Sequence, residues 1–485
     1  MSRSLGAARN LTDGPIAKTL LAFALPTMGS NILQSLNGSI SAVWVGQFLG
    51  ENALAATSNA NLVMFLLYSA IFGFAMAAMV VIGQSFGRRD ITGVRRAMGT
   101  AVSLLFSIAI AVTIIGWFFA VPILHAMSTP APVIPPALAY LRIVFLFMPA
   151  SFLFMLLQMG LRGTGDSVTP LIYTALNVVL CVSLNPLLIL GWGPIPPLGI
   201  TGSAIAGLIA NYVALFALLA HIYRKDLLIR ISRSELGYLI PNRALIRPIL
   251  FKGFPMGLQM IVGSFAAIAS IGLVNRYGVD TTAAFTVSAQ LWAYIQMPAM
   301  AIGAAVSAMA AQNIGAGNWA RVSRITHWGV RFNLLITGAA VLFLTAVNRY
   351  TVLLFLAPDS PAVPIAEHIN LVTEWGYILF GVHFVLSGTM RANGAVTVPT
   401  IILIIALFPV RLGIAFGLTP QFGIDALWWS WPISAAAAMS MGIVYYLSGR
   451  WRRAHMGEPV DPTEAESIVV TEADHTAQLQ PQSLS

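Results

Sequence analysis

Of the seventeen acidic residues in this 485-residue chain, one lies well inside a long apolar run: Glu374, in NLVTEWGYILFGVHFVLSG (370–388). A charge at mid-helix in a membrane costs on the order of 2.5–3.5 kcal/mol on insertion scales, so such a residue is a functional candidate by default. Arg411 lies in the next apolar run, roughly 20 Å from its cytoplasmic end at 1.5 Å per residue, where it could meet Glu374. The pair would form either a structural ion pair or a proton or cation switch in which Arg411 tunes Glu374. His383 is a second titratable candidate, because an imidazole near pKa 6.5 can exchange protons in the physiological range, although a buried histidine also serves as hydrogen-bonded packing. No apolar run contains paired acids, a metal-ligand cluster or a nucleophile beside a base, which argues against a membrane-embedded enzyme. No GxxxxGK[ST] segment is present for ATP, and nothing in the sequence asks for a cofactor.

Candidate substrate contacts are polar or soft. Gln34, Asn37 and Ser41 are spaced at three and four residues and share one helical face. The matching run in the second half offers mainly Gln259, and the run after it adds Gln290 and Gln296. Such faces either line a path or hold helices together. Met256 and Met260, with Met297, Met300 and Trp292, form a soft apolar set suited to core packing or to a cleft that accepts many shapes.

The elements that must position these residues are membrane helices. The chain is 58% hydrophobic and 9% charged, with a mean hydropathy of +0.81, far from the roughly 25% charge of soluble domains. Apolar runs near 17–45, 54–84, 93–127, 136–160, 168–191 and 199–223 give six spans, and runs near 248–276, 281–313, 320–356, 366–390, 397–418 and 424–449 give six more. The fold expected is all-α and integral to the membrane, with twelve transmembrane helices. Arg and Lys crowd the loops after even-numbered spans, including Arg88, Arg162, Arg224, Arg321 and Arg391, whereas 123–136 and 191–199 carry none. The positive-inside rule therefore puts these loops and both termini in the cytoplasm and the protein in the cytoplasmic membrane. The net charge of +9 reads as attraction to anionic lipid rather than to nucleic acid. Six acids and no bases follow Arg453, leaving 26 basic residues against 11 acidic ones in the membrane body. The expected organisation is a cytoplasmic N-terminus (1–16), an N-lobe (17–223), a basic inter-lobe linker (224–247), a C-lobe (248–449) and a disordered acidic tail (450–485). A lone Cys181 excludes an internal disulfide, and nothing requires more than a monomer.

The two halves repeat. Pro26 matches Pro255, Gln84 matches Gln312, Gly87 matches Gly315, Arg162 matches Arg391, Gly165 matches Gly394 and Pro170 matches Pro399, all at a separation of 228 or 229. Six spans per half is an even number, so the repeat is parallel, and two six-helix lobes around a central cleft suit alternating access. Pro26 and Pro255 each remove a backbone hydrogen bond within a first span and are candidates for hinges or for packing wedges.

Residues 11–26 (LTDGPIAKTLLAFALP), 83–97 (GQSFGRRDITGVRRA), 161–170 (LRGTGDSVTP), 185–206 (NPLLILGWGPIPPLGITGSAIA), 311–322 (AQNIGAGNWARV) and 390–399 (MRANGAVTVP) resemble recurrent segments of the multidrug and toxic compound extrusion transporters. The resemblance extends from about Leu11 to Trp451. It implies two six-helix lobes, a V-shaped cleft, and export of amphiphilic, often cationic compounds in exchange for H⁺ or Na⁺. It also implies aspartates in spans 1 and 5, but the matching segments ISAVWVG (40–46) and LNPLLI (184–189) place Ser41 and Asn185 there. Neither can take up a proton at physiological pH, so both are cleft candidates rather than coupling residues. A flippase for lipid-linked sugars is the alternative, and it would want a large basic cleft.

Overall fold

The computed structural model describes residues 10–127, 129, 131–191 and 196–456. The acidic tail beyond Met456 lies outside the described residues. Twelve long helices follow one another: α1 (Ile16–Gly50), α2 (Ala56–Gly87), α3 (Ile91–Ala126), α4 (Ile134–Gly163), α5 (Val168–Leu190), α6 (Gly199–Arg224), α7 (Arg243–Val274), α8 (Val279–Gly315), α9 (Trp319–Ala346), α10 (Ala362–Arg391), α11 (Thr397–Phe422) and α12 (Asp425–Leu447). The first eleven are long and apolar enough to cross a membrane. In α12, Trp428, Trp429, Trp431, Pro432 and three serines lower the mean hydropathy, yet it packs along α10 as α6 packs along α4. The chain is a multi-pass membrane protein of two six-helix lobes.

Expected span 9 was too long. The apolar run through 356 breaks at Val347 (φ −107°, ψ 17°), and a short helix, Asn348–Leu353, follows. Asn348 explains the turn, because its Nδ2 donates 2.8 Å to the Glu367 carbonyl and its Oδ1 accepts from Asn370 at 2.9 Å. The backbone stays helical through Pro26 and Pro255.

The repeat is visible in local geometry. Asp90 caps α3 by accepting from the Gly93 N–H at 2.7 Å, and Asn318, its equivalent, caps α9 by accepting from the Arg321 N–H at 3.2 Å. The turns before these caps use left-handed residues at equivalent places, Arg89 (φ 63°) and Gly317 (φ 71°), and those after α4 and α10 use Gly165 (φ 88°) and Gly394 (φ 80°). Sequence punctuation at a constant separation thus encodes the same two turns twice.

The lobes meet at the end of the molecule that carries the basic loops, called here the basic end. Residues 75–85 of α2 and 305–313 of α8 are all buried there, whereas 61–66 of α2, toward the opposite end, are exposed or half-exposed. Leu20, Phe23 and Ala24 of α1 pack with Ile302, Ala305 and Met309 of α8. The tightest crossing is reciprocal. A Cβ on Gly87 would lie 3.0 Å from Gln312 Cα, one on Gly315 would lie 2.8 Å from Gln84 Cα, and both would overlap the neighbouring carbonyl oxygen. Gln84 Nε2 donates 2.7 Å to the Ala392 carbonyl, and Gln312 Nε2 donates 2.9 Å to the Gly163 carbonyl, so each lobe holds the α4–α5 or α10–α11 turn of the other. The N-terminal segment completes the seal: the Leu11 N–H donates 2.9 Å to Gln312 Oε1, and Arg321 donates to the Asp13 and Gly14 carbonyls at 2.8 Å.

Candidate functional site

Above this seal lies a cavity of about 460 Å³ between the lobes. Six methionines line it, Met76, Met79 and Met159 from the N-lobe and Met256, Met260 and Met300 from the C-lobe, together with aromatic rings including Phe380 and Trp431. Flexible thioethers and rigid rings give an apolar wall that adapts to different shapes. Among the uncharged polar residues of the wall, Gln259 is held by Thr400, to which its Nε2 donates at 2.9 Å, and Gln296, Asn31, Thr27, Ser264, Thr373, Ser387 and Tyr377 are the others.

Arg411 reaches the cavity from a widened, π-helical turn at 406–412. Pro409 within that turn cannot donate its backbone nitrogen, which accommodates the change in hydrogen-bond register. The guanidinium lies 3.8 Å from the centroid of the Trp431 ring, and its Nε donates 3.1 Å to Ser434 Oγ. Trp292 does not line the cavity. It is buried one layer behind, 4.7 Å from the Trp431 ring and 5.3 Å from Phe285, and so supports the platform on which Arg411 rests.

Of the sequence candidates, Met256, Gln259, Met260, Gln296, His383 and Arg411 are brought together on this wall. Gln290 and the outer polar face of α1 are not on it. Gln34 is exposed, while Ser41 accepts a 3.2 Å hydrogen bond from Asn185, which also contacts Cys181 Sγ at 3.8 Å. Asn185 is wholly buried and, like Asn37, has a side-chain oxygen without a partner. Pro26 and Pro255 stand near the cavity's ends of α1 and α7 without lining it.

Glu374 is fully enclosed by protein. It is 0% exposed within the C-lobe; Thr345 Oγ1 donates 3.2 Å to its Oε2, and Oε1 has no partner. The anticipated pairing with Arg411 is not formed: among the described residues neither makes an ion pair with the other, because Arg411 is committed to Trp431 and Ser434. His383 is also buried, with its ring 5.8 Å from that of Phe380 and Nδ1 without a partner.

Two residues depart from the positive-inside expectation: Arg162 and Arg391 are not loop charges but are more than nine-tenths buried and line the cavity from the ends of α4 and α10. The available signal was their equivalence in the repeat, each standing at the same distance before the residue that opens the next helix, Val168 or Thr397.

A family model described as MatE matches residues 26–187 and again 255–416, beginning in each half at the first-span proline. The chain belongs to the MATE family. A probable multidrug resistance protein of Bacillus subtilis strain 168, YoeA, is 34% identical over 90% of this chain and 94% of its own length. A second from the same organism, YpnP, is 31% identical over 92% of this chain and 98% of its own length. A multidrug resistance MATE family transporter solved in an outward-facing conformation superposes with a TM-score of 0.83, at 18% identity, over 91% of this chain and 97% of that one. Members of the MATE family are transporters rather than enzymes, and the two matches to the family model reproduce the two lobes. Within this MATE fold, the N-lobe positions where carboxylates were expected hold the neutral Ser41–Asn185 contact.

Proposed function

We propose that this MATE transporter exports amphiphilic small molecules by alternating access in exchange for H⁺ or Na⁺. It works as a monomer in the cytoplasmic membrane, with both termini and the basic end in the cytoplasm. The observation that carries this reading is the one-sided seal: contacts equivalent under the repeat close the basic end, and the helices diverge beyond the cavity. Two related lobes that meet through paired contacts at one end can exchange them for paired contacts at the other, which is the rocking motion of a parallel-repeat transporter. Pro26 and Pro255 are the hinge candidates. The name of the relatives, probable multidrug resistance protein, supports a range of small-molecule cargo.

Glu374 is the leading coupling residue. It is a buried carboxylate with one donor and one free oxygen, so it can bind a proton or a cation without first breaking an ion pair. His383, on the cavity wall, is the second candidate. Flipping of lipid-linked sugars gains one argument, because Arg162, Arg391 and Arg411 make the cavity basic, but its volume is small for such cargo.

The test is dye efflux from proteoliposomes under separately imposed pH and Na⁺ gradients, for wild type, Glu374→Gln and His383→Ala. One gradient should drive efflux in wild type, and Glu374→Gln should abolish that response while leaving downhill exchange. Efflux indifferent to both gradients, or a gradient response intact in both variants, contradicts the reading.

A further inference from the structure

The cavity has a charge pattern that the export reading does not by itself explain. Arg162, Arg391 and Arg411 all line it, each at least nine-tenths buried, and no aspartate or glutamate does. Arginine stays protonated in proteins, so its charge cannot be shed to escape burial. Burying an ion without a counter-charge is costly, and none of the three arginines makes an ion pair among the described residues. Asp166, four residues after Arg162, accepts from the Val168 and Thr169 N–H groups at 3.0 Å each through Oδ1, and its buried Oδ2 has no partner, so the carboxylate does not reach the guanidinium. Glu374 is bonded to Thr345. The Nε atoms of Arg162 and Arg391 have no hydrogen-bond partner, whereas Arg411 is braced by Trp431 and Ser434.

The two unpartnered guanidiniums are equivalent under the repeat, one from each lobe, and sit beside the turns held by Gln84 and Gln312. The facing methionines supply an adaptable apolar surface. We infer that the substrate is an amphiphilic anion, whose carboxylate or phosphate is bound between Arg162 and Arg391 while its apolar or aromatic body rests on the methionine wall. A cationic amphiphile would instead face three like charges with no carboxylate to hold it. The inference rests on the export reading for its cargo role but concerns binding, which needs no gradient. Because Arg162 and Arg391 belong to different lobes, the anion would also bridge the two bodies that must move.

The experiment is fluorescence polarisation on the full-length purified protein with two xanthene dyes, 5-carboxyfluorescein and rhodamine 123. The anion should bind at least tenfold more tightly, and raising salt should weaken it. Arg162→Gln and Arg391→Gln should each reduce its affinity by about tenfold or more, as expected when one partner of a buried charge contact is lost. Arg162→Lys and Arg391→Lys should keep much of it. Farnesyl phosphate as competitor separates sources of the anion: far stronger displacement than by soluble benzoate assigns a lipid phosphate, and equal displacement assigns a soluble organic anion, both supporting the inference. Equal or tighter binding of rhodamine 123 overturns it, as does carboxyfluorescein binding untouched by both glutamine variants. If those variants do not fold, the wild-type preference between dyes decides. Tight anion binding with no transport under any gradient would remove the export reading and leave this one; export of rhodamine 123 alone would do the reverse.

Discussion

Replacing Gly315 with alanine should open the basic end. The new Cβ would lie 2.8 Å from Gln84 Cα and closer still to that residue's carbonyl oxygen. Carbon atoms pack at about 3.5–4.0 Å, so α2 and α8 must separate by on the order of 1 Å where backbone faces backbone and no side chain can rotate away. Overpacking of this kind costs about 1–3 kcal/mol. The clash exists only while the basic end is sealed, so the cost falls on that state and raises the open population by about fivefold to more than a hundredfold. An open state at about 1% would become readily measurable. Spin labels at Arg88 and Ala316, both exposed at the turns beside the crossing, report it directly once Cys181, the sole cysteine, is changed to serine. Pulsed electron–electron resonance should show a second, longer distance in Gly315→Ala, and Gly87→Ala should reproduce it because the contact is reciprocal. An unchanged distance distribution in both folded variants would refute the reasoning.

Gln84→Ala and Gln312→Ala should each weaken the same seal by about 0.5–1.5 kcal/mol, with the larger effect for Gln312, whose Oε1 also holds the Leu11 N–H; the same labels measure both. Trp431→Ala should free the Arg411 guanidinium and lower carboxyfluorescein affinity less than Arg391→Gln does, since Arg411 keeps Ser434. In the inter-lobe linker, burial opposes the charge on Glu235, but the Ser232 N–H and the Arg95 guanidinium at 2.6 Å outweigh it and hold the carboxyl below its usual range. Its stabilisation, no more than about 1 kcal/mol, is therefore present above the unfolded carboxylate value near 4.3 and lost as pH falls through the folded value. Hydrogen-exchange protection of 233–239, taken relative to the intrinsic rate at each pH, should fall at acid pH in wild type and be low throughout in Glu235→Gln.

Turns were the most legible part of the molecule. Gln84, Gly87, Gly165 and their partners are fixed by local backbone demands or by close helix contact, so their spacing survives in the sequence and predicts the two lobes. Depth was less legible. The positive-inside rule counts Arg162 and Arg391 near helix ends, but their side chains turn inward above the seal, a matter of tertiary direction that composition does not carry. Glu374 and Arg411 do not meet, because the widened turn at Pro409 and the Trp431 ring take the guanidinium elsewhere. The polar face of α1 was real as a helical face, yet its outer half diverges from the C-lobe, so Asn37 and Ser41 belong with α5 rather than with the cavity.

The central claim is that the lobes must part at the basic end for transport. Gly83 and Ala311 face each other across the seal, with a Cβ on Gly83 lying 3.1 Å from that of Ala311, slightly inside the roughly 3.5–4.5 Å typical of disulfides. In a Cys181→Ser background, Gly83→Cys with Ala311→Cys should cross-link on oxidation, stop substrate efflux from proteoliposomes, and recover it on reduction. Undiminished efflux with the cross-link fully formed would contradict the account.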